Sequence, residues 1–450
     1  MDSKITKKYQ HYFLQHALCI ISLMVIISSC KKDMIPTSSS SGNHLKIAVI
    51  TDIHYLDPSL LKNGADTGKA LTDYMNRDPK MIPYGDPIFR EVLEKLEAEH
   101  PDIVLVAGDI TKDGEKVSHL TVSHLFQELE SEHIKVFVVP GNHDINNPFA
   151  NRYDGDNAYP TASVSADEFR QIYSDFGFSH ALSKDPNSLS YVSEAAPGLW
   201  ILGIDDCKYK ENKPDSDVTA GKITPQTMQW IHDQMKIARQ KNIMVLGLMH
   251  HNMIEHYAGQ SVLDPDYVTD NWEANADTLR AWGMNIIFTG HYHANDIALR
   301  GNGATRLYDI ETGALIHTPV CYRIVDLSVK KKELNVKTKY ITSVSASIPG
   351  GLDFVDYSNN FFSNRLDGIF SYRLTQPPFL FTPQLAVTSA PTFRNAFIAH
   401  TNGDEKISAD EQAKVDAFAQ ISPIGYQALT TLWTDLPPTD NTLNIKLTAP

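Results

Sequence analysis

Cysteine is scarce in this chain, basic charge is outnumbered, and internal repeats are absent. The 450 residues hold four cysteines, Cys19, Cys30, Cys207 and Cys321, with no close-spaced pair. That spacing excludes a thiolate zinc motif and a C-x-x-C redox centre. Lysine and arginine number 40 against 54 acidic residues, a formal net charge of −14. No nucleic-acid-binding surface is therefore evident, because polyanion binding needs a basic one. An acidic enzyme still acts on phosphates where metal ions supply the local positive charge. With 42% hydrophobic and 21% charged residues, the composition is ordinary for a globular chain. Its length suffices for one large domain plus a smaller one. Nothing in the sequence points to a protein partner.

The N-terminus has the order of a targeting segment. Lys4, Lys7 and Lys8 precede an apolar stretch at residues 17–27. That stretch is short of the ~20 residues a membrane span needs. It ends in Ile27-Ser28-Ser29-Cys30, which resembles a bacterial lipobox. The expectation is a signal peptide at 1–29, lipidation of Cys30, and a flexible Ser-rich tether across 30–44. The simpler alternative is a signal anchor with an incidental cysteine. Loss of 1–29 removes three lysines and one aspartate, taking the charge from −14 to −16. The protein is then expected in the cell envelope of a bacterium, lipid-anchored at the outer membrane, with the lipid as its only membrane contact. Cys207 and Cys321 remain as thiols, and nothing demands that they pair.

Beyond the tether one grammar recurs. Lys46-Ile47-Ala48-Val49-Ile50 leads to Asp52-Ile53-His54, and Ile103-Val104-Leu105-Val106-Ala107 to Gly108-Asp109. Val136-Phe137-Val138-Val139 leads to Gly141-Asn142-His143-Asp144, and residues 243–249 to His250-His251. Residues 285–289 lead to Gly290-His291-Tyr292-His293. Continuous apolar runs of this length predict strands buried on both faces. Amphipathic helices are predicted between them at 87–99, 115–130 and 225–240. Strand–helix alternation predicts an α/β domain, whose polar ligands gather past the carboxyl ends of the strands. Antiparallel strands are predicted at 296–300, 307–310, 322–328 and 334–341. The core domain is expected to span 45–343. Residues 344–450, rich in Pro, Phe, Thr and Ser, form a C-terminal extension of unknown function with one clear helix at 409–420.

Five strand ends therefore carry Asp, His or Asn. On an extended segment Asp52 and His54 would point the same way and ligate one ion. His291 and His293 repeat that logic, with Gly290 allowing close backbone approach. Asp109 could bridge two ions, and the amide oxygen of Asn142 suits a hard or borderline metal such as Mn, Fe or Zn. Each residue alone has a simpler reading as a strand-end cap or satisfied core polar group. Their ordered combination does not.

That series resembles the calcineurin-like metallophosphoesterases. The match covers residues 45–343 and is complete in its motifs. The His250-His251 and Gly290-His291-Tyr292-His293 segments look most like the bacterial cyclic-nucleotide and glycerophosphodiesterase-like branch. The resemblance implies a four-layer αββα sandwich. It implies one metal on Asp52, His54, Asp109 and His293, and another on Asp109, Asn142, His250 and His291. A bridging water or hydroxide would be the nucleophile. His143 would act over the phosphate, Asp144 would orient it, and His251 would lie near substrate, although His250 and His251 compete for the ligand role. The implied reaction is hydrolysis of a phosphoester small molecule. A phosphodiester is the first choice, with a phosphomonoesterase or nucleotidase as alternative. A non-catalytic binding lipoprotein on the same fold is the rival from another class.

Other polar residues receive plain expectations. His119, His124 and His133 are expected in solvent, and His180, His256 and His317 carry no assignment. Asp205 and Asp206 read as buried turn carboxylates. Residues 400–411 look somewhat like a calcium loop, but His400 and Glu405 stand at the wrong positions. A polar turn with Ser408 and Glu411 as a capping box is favoured. The insertions 55–86 and 146–163 follow metal-bearing strand ends and are expected over the mouth of the site.

Overall fold

The computed structural model describes residues 44–64 and 68–447. The expected signal peptide, Cys30 and the tether up to residue 43 lie outside them.

Every predicted core strand forms. One sheet contains β1 (His44–Ile50), β2 (Ile103–Ala107) and β3 (Lys135–Val139). A small hairpin, β4 (Asn151–Asp154) and β5 (Asn157–Pro160), stands apart. A second sheet is built from β6 (Ser183–Lys184), β7 (Tyr191–Ala196), β8 (Leu199–Gly203), β9 (Met244–Leu248), β10 (Ile286–Thr289), β11 (Ile297–Arg300) and β12 (Leu307–Glu311). The chain then returns to the first sheet with β13 (Cys321–Ser328), β14 (Glu333–Tyr340) and β15 (Thr442–Lys446). The orders are β15-β14-β13-β1-β2-β3 and β11-β12-β10-β9-β8-β7-β6. One expectation is corrected: β12 runs parallel to β10 and antiparallel only to β11.

Alternation along the strands explains the continuous apolar runs. Leu199 and Ile201 of β8, Leu246 and Leu248 of β9, and Ile286 and Phe288 of β10 join the core shared with the first sheet. Their neighbours Trp200, Leu202, Val245 and Ile287 face the opposite way, into a second core. That core is completed by helices Pro225–Gln240 and Trp272–Ala281. Helices Gly85–Glu99 and Lys116–Ser131 cover the first sheet through Phe89, Val92, Phe126 and Leu129. The result is helix, sheet, sheet, helix, with the central strands β2, β8, β9 and β10 dry on both faces.

Residues 344–447 hold more structure than the sequence suggested. Helices Phe354–Arg373, Pro383–Asn402, Ala409–Ile421 and Pro423–Leu432 pack around Phe381, Phe393 and Phe418. β15 then pairs antiparallel with β14, Ile445 opposite Leu334. Buried Arg323 of β13 fastens this region down, donating to the carbonyls of Asp440, Glu311 and Asp296. In the loop at 400–411 the Asp404 carboxylate accepts from the backbone of Asp440 and Asn441. Ser408 caps the next helix through Glu411 N–H as expected. Glu411 does not reciprocate, and instead accepts from Asn395 and Lys414.

Candidate metal centre

The ligand-bearing loops are not extended. Asp52, His54, Asp109, His291 and His293 all have positive φ, between 43° and 74°. The expected i, i+2 geometry of a strand is therefore replaced by left-handed turns. For non-glycine residues each costs ~1–3 kcal/mol and persists only when its surroundings fix it. Here the loops fix one another. His54 N–H donates to Asp109 O, Asp52 N–H to Gly108 O, and Gly290 N–H to His250 O. A Cβ on Gly290 would lie 2.1 Å from Thr51 Oγ1, and one on Gly141 2.1 Å from Asp109 Oδ1. Only glycine lets these turns approach so closely.

The carboxylates are each divided between holding and presenting. Asp52 Oδ2 accepts from Thr51 Oγ1 (2.7 Å) and His291 N–H (3.0 Å). Its Oδ1 is buried without a hydrogen-bond partner and faces His293 Nε2 at 3.3 Å. Asp109 Oδ1 accepts from His143 N–H. Asp109 Oδ2 lies 3.5 Å from His54 Nε2 and 3.4 Å from His250 Nε2. One oxygen thus stands midway between two imidazole groups. Asp52, His54, Asp109 and His293 converge on one side, and Asp109, His250 and His291 on the other.

Tautomers can be read from the outer contacts. His250 Nδ1 lies 2.8 Å from Ala107 O, so it carries a proton. Its Nε2 lone pair then faces Asn142 Oδ1 at 3.0 Å. His317 Nδ1 lies 2.9 Å from Thr318 O, so its Nε2 accepts from His293 Nδ1 at 2.8 Å. His293 Nε2 then points its lone pair into the centre, 3.3 Å from Asp52 Oδ1. Facing lone pairs repel unless a proton or a cation lies between them. His250 is accordingly pushed up to about 10: burial lowers it, but the charge and hydrogen bond of Asp109 prevail. Burial, aided by Lys80, holds His54 well below the usual histidine range. Burial also raises the Asp109 carboxyl, yet His250, His143 and His54 draw it well below its ordinary value. These donors fit two divalent cations sharing Asp109.

Two neighbours correct the sequence reading. His143 is oriented by Asp113, whose Oδ1 lies 2.7 Å from its Nδ1. Asp144 has no such role. Its carboxylate accepts from the N–H groups of Ile110, Thr111 and Gly141 and from Thr111 Oγ1, tying two ligand loops together. His251 is fully buried, with Nδ1 at Asp206 (3.0 Å) and Nε2 at Thr219 O (2.7 Å). It packs against His291 at 4.2 Å between ring centroids instead of facing substrate. His119, expected in solvent, is buried between Asp144 O and Tyr173 Oη. His124 and His133 are exposed as expected. Asp205 and Asp206 are buried turn carboxylates as expected.

His317, unassigned from sequence, backs His293 and stacks on Phe362 of the C-terminal helices, rings 4.4 Å apart. His317→Ala is expected to weaken metal affinity by about 10- to 100-fold, the usual cost of losing a partner behind a ligand. A chelator titration checks this, and unchanged affinity would show that His293 needs no such support.

Two candidate ligand sets sharing one carboxylate stand at the carboxyl ends of strands in an α/β sandwich. The chain belongs to the calcineurin-like phosphoesterase family, whose model matches residues 45–295. Among solved structures it is similar to a dimetal phosphatase from Danio rerio, at 17% identity and TM-score 0.45, covering 66% of this chain and 96% of that one. It is also similar to a Thermus thermophilus protein, at 10% identity and TM-score 0.34, covering 66% and 98%. A comparison with the curated proteins finds no match.

Proposed function

We propose that this protein hydrolyses phosphoester bonds at a dinuclear metal centre. The observation that carries the reading is Asp109 Oδ2, placed between His54 Nε2 and His250 Nε2. Imidazole, carboxylate and amide donors together suit Mn, Fe or Zn. When bound, two such ions supply an activated water and neutralise phosphate charge.

The chain's own groups do the rest. The Asp109 carboxylate, held by His143 N–H, fixes the spacing of the two halves. His143 Nε2 lies 4.0 Å from Asp109 Oδ2, at the edge of the centre. Its Nδ1 is engaged by Asp113, and Nε2, 3.4 Å from Lys80 Nζ, is the nitrogen placed to give a proton to the leaving oxygen. His143 is raised to about 9: burial and Lys80 lower it, and Asp109 and Asp113 more than offset them. Cations on Asp109 would lower it again, toward a proton donor useful near neutral pH.

The order of basic, apolar and Cys30 segments supports a lipid-anchored protein outside the cytoplasm. Among the described residues no helix is long and apolar enough to cross a membrane. The test has two parts. Metal-loaded protein should hydrolyse p-nitrophenyl phosphate or its bis ester, and lose that activity to chelator. Full-length protein should fractionate with membranes and enter the soluble fraction as Cys30→Ser. Inactivity on both esters would refute the catalytic reading, and a soluble wild type the anchor.

A further inference from the structure

The insertion at 55–86 sends one cation into the centre. Lys80 is only 3% exposed. Its Nζ lies 2.7 Å from Asp78 Oδ2 and 3.4 Å from His143 Nε2. Backbone contacts hold it there: Lys80 N–H donates to Asp78 O, and Met81 N–H to Ile316 O, beside His317. Burying a lysine is costly unless its charge is used. An ammonium has three donors, and the Asp78 contact takes one. The same Nζ lies within reach of His143 Nε2, so the ammonium stands on the side of the centre where the proton donor acts.

From this placement we infer that Lys80 binds a phosphate oxygen and selects substrates whose phosphate carries two negative charges, the phosphomonoesters. The inference rests on the hydrolase reading above. A diester offers two non-bridging oxygens and one charge. A monoester dianion adds a third such oxygen and a second charge, which an extra buried donor beside His143 rewards. Asp78 partly neutralises Lys80, so it sets the strength of the selection. His251, expected near substrate, has both ring nitrogens occupied inside the protein and offers no competing contact to the phosphate.

The experiment compares metal-loaded wild type with Lys80→Met, Lys80→Arg and Asp78→Asn. KM and kcat are measured on p-nitrophenyl phosphate and bis-(p-nitrophenyl) phosphate, and the Kd of inorganic phosphate by calorimetry. Lys80→Met should raise the monoester KM and the phosphate Kd by about 10- to 100-fold, the worth of a hydrogen bond to a charged group. The diester KM should move by less than about 3-fold, and metal content should stay at the wild-type level. Lys80→Arg should keep most of the phosphate affinity, and Asp78→Asn should tighten it. Equal losses on both esters, loss of metal, or an unchanged phosphate Kd in Lys80→Met would overturn the inference. If wild type hydrolyses neither ester, the hydrolase reading fails, while the phosphate Kd still decides whether Lys80 binds phosphate.

Discussion

Asp109→Asn is expected to reduce turnover by at least about 10³-fold and to leave the protein with substoichiometric metal. A single hydrogen-bond donor lost from a preorganised site already costs ~10²–10³ in rate. This change removes more. Asp109 Oδ2 lies within 3.5 Å of both His54 Nε2 and His250 Nε2, so both ligand sets lose their shared charge. An amide in its place is neutral and turns either its oxygen or its NH₂ toward the imidazoles. The Asp109 Oδ1 contact to His143 N–H belongs to the same carboxylate, so the proton donor is disturbed as well. Elemental analysis and steady-state assay on one preparation check this. Full metal loading in the variant would remove Asp109 from the bridging role.

His143→Ala should behave differently, slowing turnover by roughly 10²–10⁴ while metal content stays unchanged. His143 touches Asp109 through its backbone N–H, which alanine keeps. Loss of metal in this variant would make His143 a ligand. Asp113→Asn supplies the companion measurement. The hydrogen bond and charge of Asp113 are two of the influences that raise His143. As a proton donor His143 works in its protonated form, so activity falls as pH rises through its pKa. Weakening the Asp113 influence lowers that pKa, and the falling limb of the pH–rate profile should move to lower pH. A limb that stays in place would separate Asp113 from the titrating group.

The parts of this centre legible in the sequence are those that local chemistry announces. A dry strand ending in Asp, Asn or His is conspicuous because the polar group follows directly on residues with no water around them. Asp52, Asp109, Asn142, His250 and His291 are visible on that ground, and the structure gathers them. The turn geometry is not legible, because left-handed φ at Asp52 and His54 is held by hydrogen bonds to a loop far away in sequence. The same holds for orientation. Asp144 follows His143 directly, yet its carboxylate turns to three backbone N–H groups, while Asp113 reaches the imidazole from another loop. His317 and Lys80 sit in segments without periodicity, and their significance is wholly a matter of proximity. His119 shows the limit of helical pattern: its position resembles a solvated face until Tyr173 and Asp144 close over it.

The C-terminal region is obscured by composition. Helix Pro383–Asn402 carries Pro391 in its interior, normally a strong argument against a helix. Phe393 and Ala396, buried in the aromatic core just beyond it, supply the tertiary packing that overrides the propensity.

The closing strand β15 also has a consequence in time. Its partner β14 leaves the ribosome roughly a hundred residues earlier, which at ~5–20 residues per second leaves that edge bare for ~5–20 seconds. An open strand edge invites pairing with other chains. Lys337, opposite Thr442 in the finished sheet, places charge on that waiting edge, a safeguard during synthesis that becomes redundant once residues 442–446 lie down beside it.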